Sequence, residues 1–350
     1  MASVVASGGL AGCSGQQGGT TPTPAQDKAE TQQKDKTETT QQKQLKAKLA
    51  ISHYPTIPGT VPVQVAKKKG IFEKYGITKA PVTSFSGGGT TVRGVVTGNL
   101  TIGSTALLAL IRAFQAGAPI HLVGLMQRSP DILFDTLPDS PIETIQDVKG
   151  KTIAISNPGS SSMQCAILSI KAANGISRDD VTLMAAGGLG EALTALQEGS
   201  ADVAWNIPPK STIMHQKGKT RQVWHTRTYA PQFPEIPLGM GAQTLNEQFN
   251  LARSTLRALI DAMKFVQNNV EESARIWAKT AGISEDLAIS ALKETKPDKM
   301  FGPRIYEDGL KDTVSVLLQT GDLKNRPDWA KFINQSALPK QYRSEWVPEK

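Results

Sequence analysis

The chain has 350 residues, 39% of them hydrophobic and 20% charged, which is too long for one average domain and points to two compact bodies with polar appendages. A net charge of +8 raises the question of nucleic acid. Lys and Arg are scattered, however, aromatics are only 5%, and no RNP or helix-turn-helix pattern occurs, so a dedicated nucleic-acid binder is excluded. The two cysteines, Cys13 and Cys165, lie far apart and imply no disulfide framework. His53, His121, His215 and His225 lie singly, without the spacing of metal ligands, so no metal site and no cofactor are expected.

In chain order, the first residues MASVVASGGLAGCSG read as the end of an export signal. Leu10-Ala11-Gly12-Cys13 resembles the lipobox of bacterial lipoproteins, which implies cleavage before a lipidated Cys13. The apolar run ahead of it is short and has no preceding Lys or Arg, so the signal is expected to begin upstream or to be trimmed here. Residues 14–46 are rich in Thr, Gln, Lys, Asp and Glu, with too few apolar side chains to offset the entropy of ordering, and are expected to be a disordered leash. No segment approaches the ~20 apolar residues of a membrane span, so the protein is expected to be tethered rather than integral.

The folded body is expected from about Ala47. Strands are read at 48–54, 81–85, 100–103 and 120–125, and helices at 61–69, after Ser86–Thr90, and at 106–114 with Ser104-Thr105 as its cap. After a linking segment at 127–141, strands are read at 152–155, 181–184 and 202–205. A helix follows Ser160, and another spans 189–197 with Leu189, Ala192, Leu193 and Leu196 on one face. Residues 221–226 and the Pro-rich 229–237 lead out of this unit. Helices at 252–279, 285–294 and 304–319 follow, and the tail beyond Phe332 is expected to be loose. Strand and helix alternate, which predicts α/β bodies built on parallel, doubly wound sheets.

The stretch DVKGKTIAISNPGSSSMQ (147–164) is the most informative. It reads as turn, strand, Gly/Ser loop and helix start, which places backbone N–H groups and hydroxyls at a positive helix end suited to an anion. Three other Gly/Ser/Thr loops stand between a strand and a helix: Ser86–Thr90, Ser104-Thr105 and Gly187–Gly190. Each is equally readable as simple punctuation between elements.

Five strings carry a resemblance in collinear order: GTVPVQVAKKKGIFEKYGI (59–77), SFSGGGTTVRGVVTGNLTIGST (84–105), AGAPI (116–120), SPIETIQDVKGKTIAISNPGSSS (140–162) and GGLGEALTALQEGSADVAW (187–205). Together they resemble the solute-binding proteins of nitrate/sulfonate/taurine/bicarbonate-type ABC importers, whose relatives include binders of the thiamine pyrimidine precursor. The resemblance implies a two-lobed, type II periplasmic-binding-protein fold. The first lobe would be residues 47–135 plus 232–330 and the second 136–231, with residues 1–13 a signal remnant and 331–350 a tail. It places loops of both lobes at one cleft, and so implies ligand contacts from Ser86, Gly87, Gly88, Ser104, Thr105, Gln127, Ser160, Ser161, Gly188 and Asn206. Trp205 would wall the ligand or lie buried, and Arg128 would be an anion clamp or a solvated hinge residue. Relatives carry an acidic residue where Thr101 stands.

The function implied is an extracytoplasmic, lipid-anchored or periplasmic receptor, monomeric, that hands a small and anionic solute to an ABC permease. Two alternatives share the fold. One is an enzyme akin to those that make the thiamine pyrimidine with an active-site His and a Cys-rich iron motif; the other is a sensing module of a membrane receptor. Cys165 stands alone, G-x-S-x-G and Walker loops are absent, and no nucleophile–base–orienter set assembles, so a binder rather than an enzyme is expected.

Overall fold

A computed structural model describes residues 44–85 and 88–347. Cys13, the residue expected to be lipidated, nearly all of the segment 14–46 expected to be a leash, and Ser86 and Gly87 lie outside them. Among the described residues the strands are Leu45–Lys46 (β1), Leu49–Ile51 (β2), Ile77–Lys79 (β3), Val82–Thr83 (β4), Ile102–Ser104 (β5), Ile120–Gln127 (β6), Leu133–Thr136 (β7), Thr152–Ile155 (β8), Thr182–Ala185 (β9), Val203–Asn206 (β10), Arg221–His225 (β11) and Ile236–Gly241 (β12). The main helices are Val61–Lys68 (α1), Ile71–Lys74 (α2), Gly88–Val96 (α3), Leu107–Gln115 (α4), Ser161–Ala172 (α5), Leu189–Gln197 (α6), Lys210–Gln216 (α7), Ala242–Glu247 (α8), Phe249–Asn268 (α9), Val270–Ala281 (α10), Glu285–Glu294 (α11), Pro297–Met300 (α12) and Glu307–Gln319 (α13).

Two five-stranded sheets organise these elements, in the orders β4-β2-β5-β12-β6 and β11-β7-β10-β8-β9. Neither is wholly parallel. β12 runs antiparallel to β5 and β6, and β7 runs antiparallel to β10 and β11. Both antiparallel strands fall in segments that the sequence reads as connectors, and both have a physical reason to look so. β12 carries Pro237 in a central strand, at a shift of register against β6; a bulge is where a strand interior tolerates a residue without an amide proton. Its Gly239 and Gly241 lie against Leu110 and the Val95 carbonyl, so α3 and α4 approach the sheet more closely than a side chain would permit. β7 is only four residues long and follows Pro130 directly after the first crossover. It belongs to the second sheet, so the first lobe gives way before Leu133, ahead of the boundary drawn at 135.

The first sheet is covered on both faces. One face packs with α1, α9, α10 and α11 around Phe72, Leu259, Met263 and the wholly buried Trp277, whose indole N–H donates to the Pro55 carbonyl at 2.9 Å. The other face packs with α3, α4, α13 and the C-terminal segment. That segment is not loose: Phe332, Ile333, Ala337, Leu338 and Val347 are buried, and the Trp346 indole N–H donates to the Ile305 carbonyl. Burying each of Phe332, Ile333, Leu338 and Val347 contributes about 1.5–3 kcal/mol, which the polar residues between them conceal in the sequence. The long helix expected at 252–279 is two helices that meet at Asn269, whose φ of −136° and ψ of 57° are not helical. β1 pairs with β3, so order begins ahead of the expected boundary at residue 46.

The second lobe buries Ile153, Ile155, Ile167 and Ile170 around Phe134 and Trp224, whose rings stack at 4.4 Å. The lobes repeat one device. The amide of Thr152, opening β8, donates to the Asp202 carboxylate at 2.8 Å, and the amide of Lys48, just before β2, donates to the Thr101 hydroxyl at 3.1 Å. Thr101 thus supplies with a hydroxyl the acceptor that Asp202 supplies with a carboxylate. Among the described residues no helix is long and apolar enough to cross a membrane.

Candidate functional site

The chain passes between the sheets twice. Residues 128–132 link β6 to β7, and residues 226–235 link β11 to β12. Because β6 pairs with β12 and β7 with β11, the two crossovers run side by side. They are stitched together by the Thr226 amide to the Ile132 carbonyl at 3.1 Å and by Arg227 Nη2 to the Pro130 carbonyl at 3.2 Å. Helix α13 adds a third tie: Leu310, Val314 and Leu317 enter the first lobe's core, while Val316 enters the second lobe's.

Beside these crossovers the two lobes meet. Gly159 has φ +74°, and a Cβ built there would lie 2.9 Å from Leu108 Cδ2 and 3.0 Å from Asp322 Oδ1. The loop before α5 therefore touches the start of α4 with no room for a side chain. On the first lobe, Gly88 lies against the Thr105 hydroxyl, 2.5 Å from where its Cβ would be, so two of the expected loops form one surface. Thr105 is buried and Ala106 exposed. Ser104 and Thr105 do not cap α4, however. Its N-cap is Ala106, with no side-chain hydrogen bond, which leaves that helix start uncapped.

At α5 the residues divide their work. Ser160 is the N-cap, its Oγ accepting the Met163 amide at 3.3 Å and contacting Ser162 Oγ at 3.0 Å. Ser162 Oγ in turn accepts the Ser156 amide at 2.8 Å. The Ser161 hydroxyl stands near the Glu235 carboxyl of the second crossover and favours its ionised form. The Ser160 and Ser162 hydroxyls are thus engaged within the protein, whereas the amides of Ser161 and Ser162 find no partner among the described residues. Two unpaired donors at the positive end of a 12-residue helix suit an anionic or strongly polar group.

Other expected site residues are placed differently. Gln127 is fully buried at the end of β6; its Nε2 donates to the Ser129 carbonyl at 3.1 Å, and its Oε1 has no partner. Asn206 spends its amide internally, Nδ2 on Asp135 at 2.9 Å and Oδ1 on the Ile207 amide at 3.0 Å. Trp205 is half-buried between two cores of the second lobe. Gly188 is exposed beyond the sheet's edge strand β9, and a Cβ there would meet only its own Glu191. Arg128 is no clamp: it donates to the Tyr306 hydroxyl at 2.6 Å and to the carbonyls of Lys299 and Asp298, and so pins the first crossover to the segment after α11.

Sequence reading missed the roles of four groups here. His53 follows β2 in the left-handed region at φ 59°, a conformation that costs a non-glycine residue about 1–3 kcal/mol and collects at ligand sites. The residue is exposed, yet enough protein surrounds it to lower its pKa by desolvation. Asp131 is buried on the first crossover and Glu235 half-buried on the second, with its Oε2 buried; loss of water raises the pKa of both, Glu235 to about 8. The one available signal for Glu235 was a lone acid inside an otherwise uncharged run, FPEIPLGMG. At the end of β11, His225 is held neutral, its pKa pushed down to about 3 by burial, while its Nδ1 accepts the Arg227 amide.

Residues 57–273 match the family model described as NMT1/THI5 like. No curated protein sequence matches the chain. Among solved structures, the chain is similar to the periplasmic aliphatic sulphonate-binding protein SsuA from Escherichia coli, with a TM-score of 0.68, 20% identity, and coverage of 82% of this chain and 91% of that one. It is similar to the periplasmic nitrate-binding protein NrtA from Synechocystis PCC 6803, with a TM-score of 0.60, 15% identity, and coverage of 82% and 84%. The desulfurization enzyme DSZB shares the fold equally, with a TM-score of 0.60, 15% identity, and coverage of 84% and 98%. These likenesses show the two-lobed fold of periplasmic binding proteins.

Proposed function

The chain belongs to the NMT1/THI5-like family, and on that premise we propose that it is the extracytoplasmic solute-binding receptor of an ABC importer. It captures a small molecule with an anionic or strongly polar group between its lobes and hands it to the permease. The observation that carries this reading is the pair of unpartnered amides at Ser161 and Ser162, set where the α5 loop meets the start of α4 across the lobes. The α3 and α4 starts, through Gly88 and Thr105, form the facing wall. The sulfonate and nitrate binders among the structural relatives agree with an anion at such a helix end.

An enzyme on the same fold is the weaker reading. The body's one cysteine, Cys165, is buried and free, and burial pushes its thiol well above the ordinary range, which removes the thiolate that nucleophilic chemistry needs. Lipidation of Cys13 would hold the receptor at the outer face of the cell membrane, with residues 14–43 as the tether, acting as a monomer.

A thermal-shift screen of alkanesulfonates, aminosulfonates, nitrate, bicarbonate, aromatic acids and pyrimidines tests the reading. A true ligand at a hundred times its Kd raises stability by about 2.7 kcal/mol. A screen in which no small solute shifts the unfolding temperature would remove the proposal. For the tether, Cys13→Ser should move the protein from the membrane fraction to the soluble one, because a lipid chain contributes about 0.8 kcal/mol per buried methylene. A variant that still sediments with membranes would refute the anchor.

A further inference from the structure

We propose that the first lobe carries a basic face, built from β1, β3, the end of α1, α2 and α9, which lies against an anionic lipid bilayer and sets Phe249 into it.

The charge of the chain is concentrated rather than spread. Residues 45–79 hold seven basic side chains and one acidic, Glu73, and residues 249–268 hold three and one, Asp261. The net charge of these two segments equals the +8 of the whole chain, so everything outside them is balanced. All ten basic residues are exposed. Only Lys69 and Lys74 form ion pairs among the described residues, with Glu272 at 2.7 Å and Asp261 at 2.8 Å. So many like charges on one face repel one another, a cost that an anionic partner removes.

The fold brings the two segments together. Lys46 and Lys79 are register partners of β1 and β3. Leu45, Lys46 and Tyr75 line one groove with Phe249 and Arg253 of α9, bordered by Glu247. The Tyr75 hydroxyl and Lys74 Nζ both donate to Asp261 on that helix, and Lys69 Nζ lies 5.2 Å from the centre of the Phe265 ring. Arg253 and Arg257 follow Phe249 at four-residue spacing, along one side of α9.

Two features select a bilayer among anionic partners. Phe249 is 37% exposed, one of only two large hydrophobic side chains so exposed among the described residues, and it opens α9 within the basic rim. A large apolar ring among lysines and arginines matches the boundary of headgroups and acyl chains, where the cations meet phosphates and the ring leaves water. Duplex nucleic acid offers the phosphates without that apolar layer. The polypeptide also enters the body at β1, so the segment that carries Cys13 joins it on this face.

Contact on this side leaves the ligand cleft open. β2 pairs in parallel with β5, which ends at Ser104 beside the α4 start, so Lys46 and Lys48 stand at the opposite end of the sheet. In β12, Ile236 pairs with Gln127 at the crossovers and Gly241 with Ile120 at the far end, and α8 and α9 lead on from there.

The test takes the full chain as Cys13→Ser, so that no lipid anchor contributes. It is sedimented with protein-free vesicles of phosphatidylcholine, alone or mixed with phosphatidylglycerol. The protein should pellet with the anionic vesicles and not with the zwitterionic ones. Raising salt from about 0.1 M to about 1 M shortens the Debye length from about 10 Å to about 3 Å and should release it. A lipid anchor does not release in that salt, so the membrane fractionation of Cys13→Ser is read after a high-salt wash. Each basic side chain near an anionic surface changes partitioning about fivefold, so Lys67→Glu with Lys68→Glu should weaken binding about tenfold or more. Lys217→Glu with Lys219→Glu, at exposed positions of the second lobe, lowers the net charge equally and should change binding little. Phe249→Ala should weaken binding severalfold and leave its salt dependence as it is. Equal pelleting with both kinds of vesicle, equal loss in the two double variants, or unchanged binding by a folded Phe249→Ala protein each overturns the proposal. Should Phe249→Ala fail to fold, the lysine variants decide, because they alter exposed side chains only. Attachment to native membranes but to no protein-free vesicle would assign the face to a membrane protein and overturn the proposal as well. No ligand enters the test, so its failure leaves the receptor reading untouched.

Discussion

Asp135→Asn is expected to cost about 3 kcal/mol of folding stability, the low end for breaking a buried ion pair by removing one partner. Asp135 sits on β7 with 1% exposure and accepts from three side chains. His215 Nε2 lies 2.9 Å and 3.0 Å from its two oxygens, Asn206 Nδ2 2.9 Å away and the Thr220 hydroxyl 3.0 Å away. These donors come from α7, from β10 and from the turn into β11, so a single carboxylate fastens three elements of the second lobe. An asparagine of the same shape turns an amide toward donors and loses the charge that holds them. The loss should depend on pH in a defined direction. The hydrogen bond to Asp135 raises the pKa of His215 above its ordinary 6.5. The contribution of the charged pair is then fully present below about pH 6.5 and disappears as pH rises through the raised value. Urea unfolding of wild type and variant should show a wider gap near pH 6 than near pH 8.5. A gap that is constant, or wider at the higher pH, would show that the pair is not charged as described.

That network also marks the limit of sequence reading. The run TIAISNPGSSSMQ announced strand, loop and helix correctly because each signal is local: an apolar run, a Pro-Gly break, a serine at the cap. Asp135 lies within ILFDT, a segment read as a connector, and its partners stand 71, 80 and 85 residues away. No local pattern reports such a convergence. The crossovers show the same thing. Arg128 was visible as a charged residue at a hinge, but whether it faces a ligand or Tyr306 is decided by a segment more than 170 residues later. At α5 the serine cluster was legible as a helix start. Which serine caps, which stands near Glu235, and that the unspent donors are amides rather than hydroxyls, depended on the β12 strand that Pro237 and its glycines disguise.

The division of work at α5 changes what a substitution there should do. If Ser160 is the cap, Ser160→Ala removes the acceptor of the Met163 amide and should lower stability by about 1 kcal/mol, with little change in affinity. Ser161→Ala removes a hydroxyl that stands near Glu235 and should also leave affinity nearly intact. The donors assigned to the ligand are backbone amides, and a side-chain deletion does not reach them. Ser161→Pro does. Proline at the first helical position lacks only an N–H that the helix does not use, and its fixed φ fits there. The preceding Ser160 has φ −76° and ψ 162°, the extended conformation that a residue before proline prefers. The helix should therefore survive while one donor to the ligand is lost. Removing a hydrogen bond to a charged group costs about 1.5–3 kcal/mol, or roughly tenfold to a hundredfold in affinity. Calorimetry with the best anion from the thermal-shift screen should show that loss for Ser161→Pro, beside near-wild-type binding for Ser161→Ala. Circular dichroism and the unfolding temperature of both variants establish that α5 is intact. Equal binding by the proline variant would mean that the α5 amides do not hold the ligand, and the anion end would then have to be sought at the uncapped start of α4.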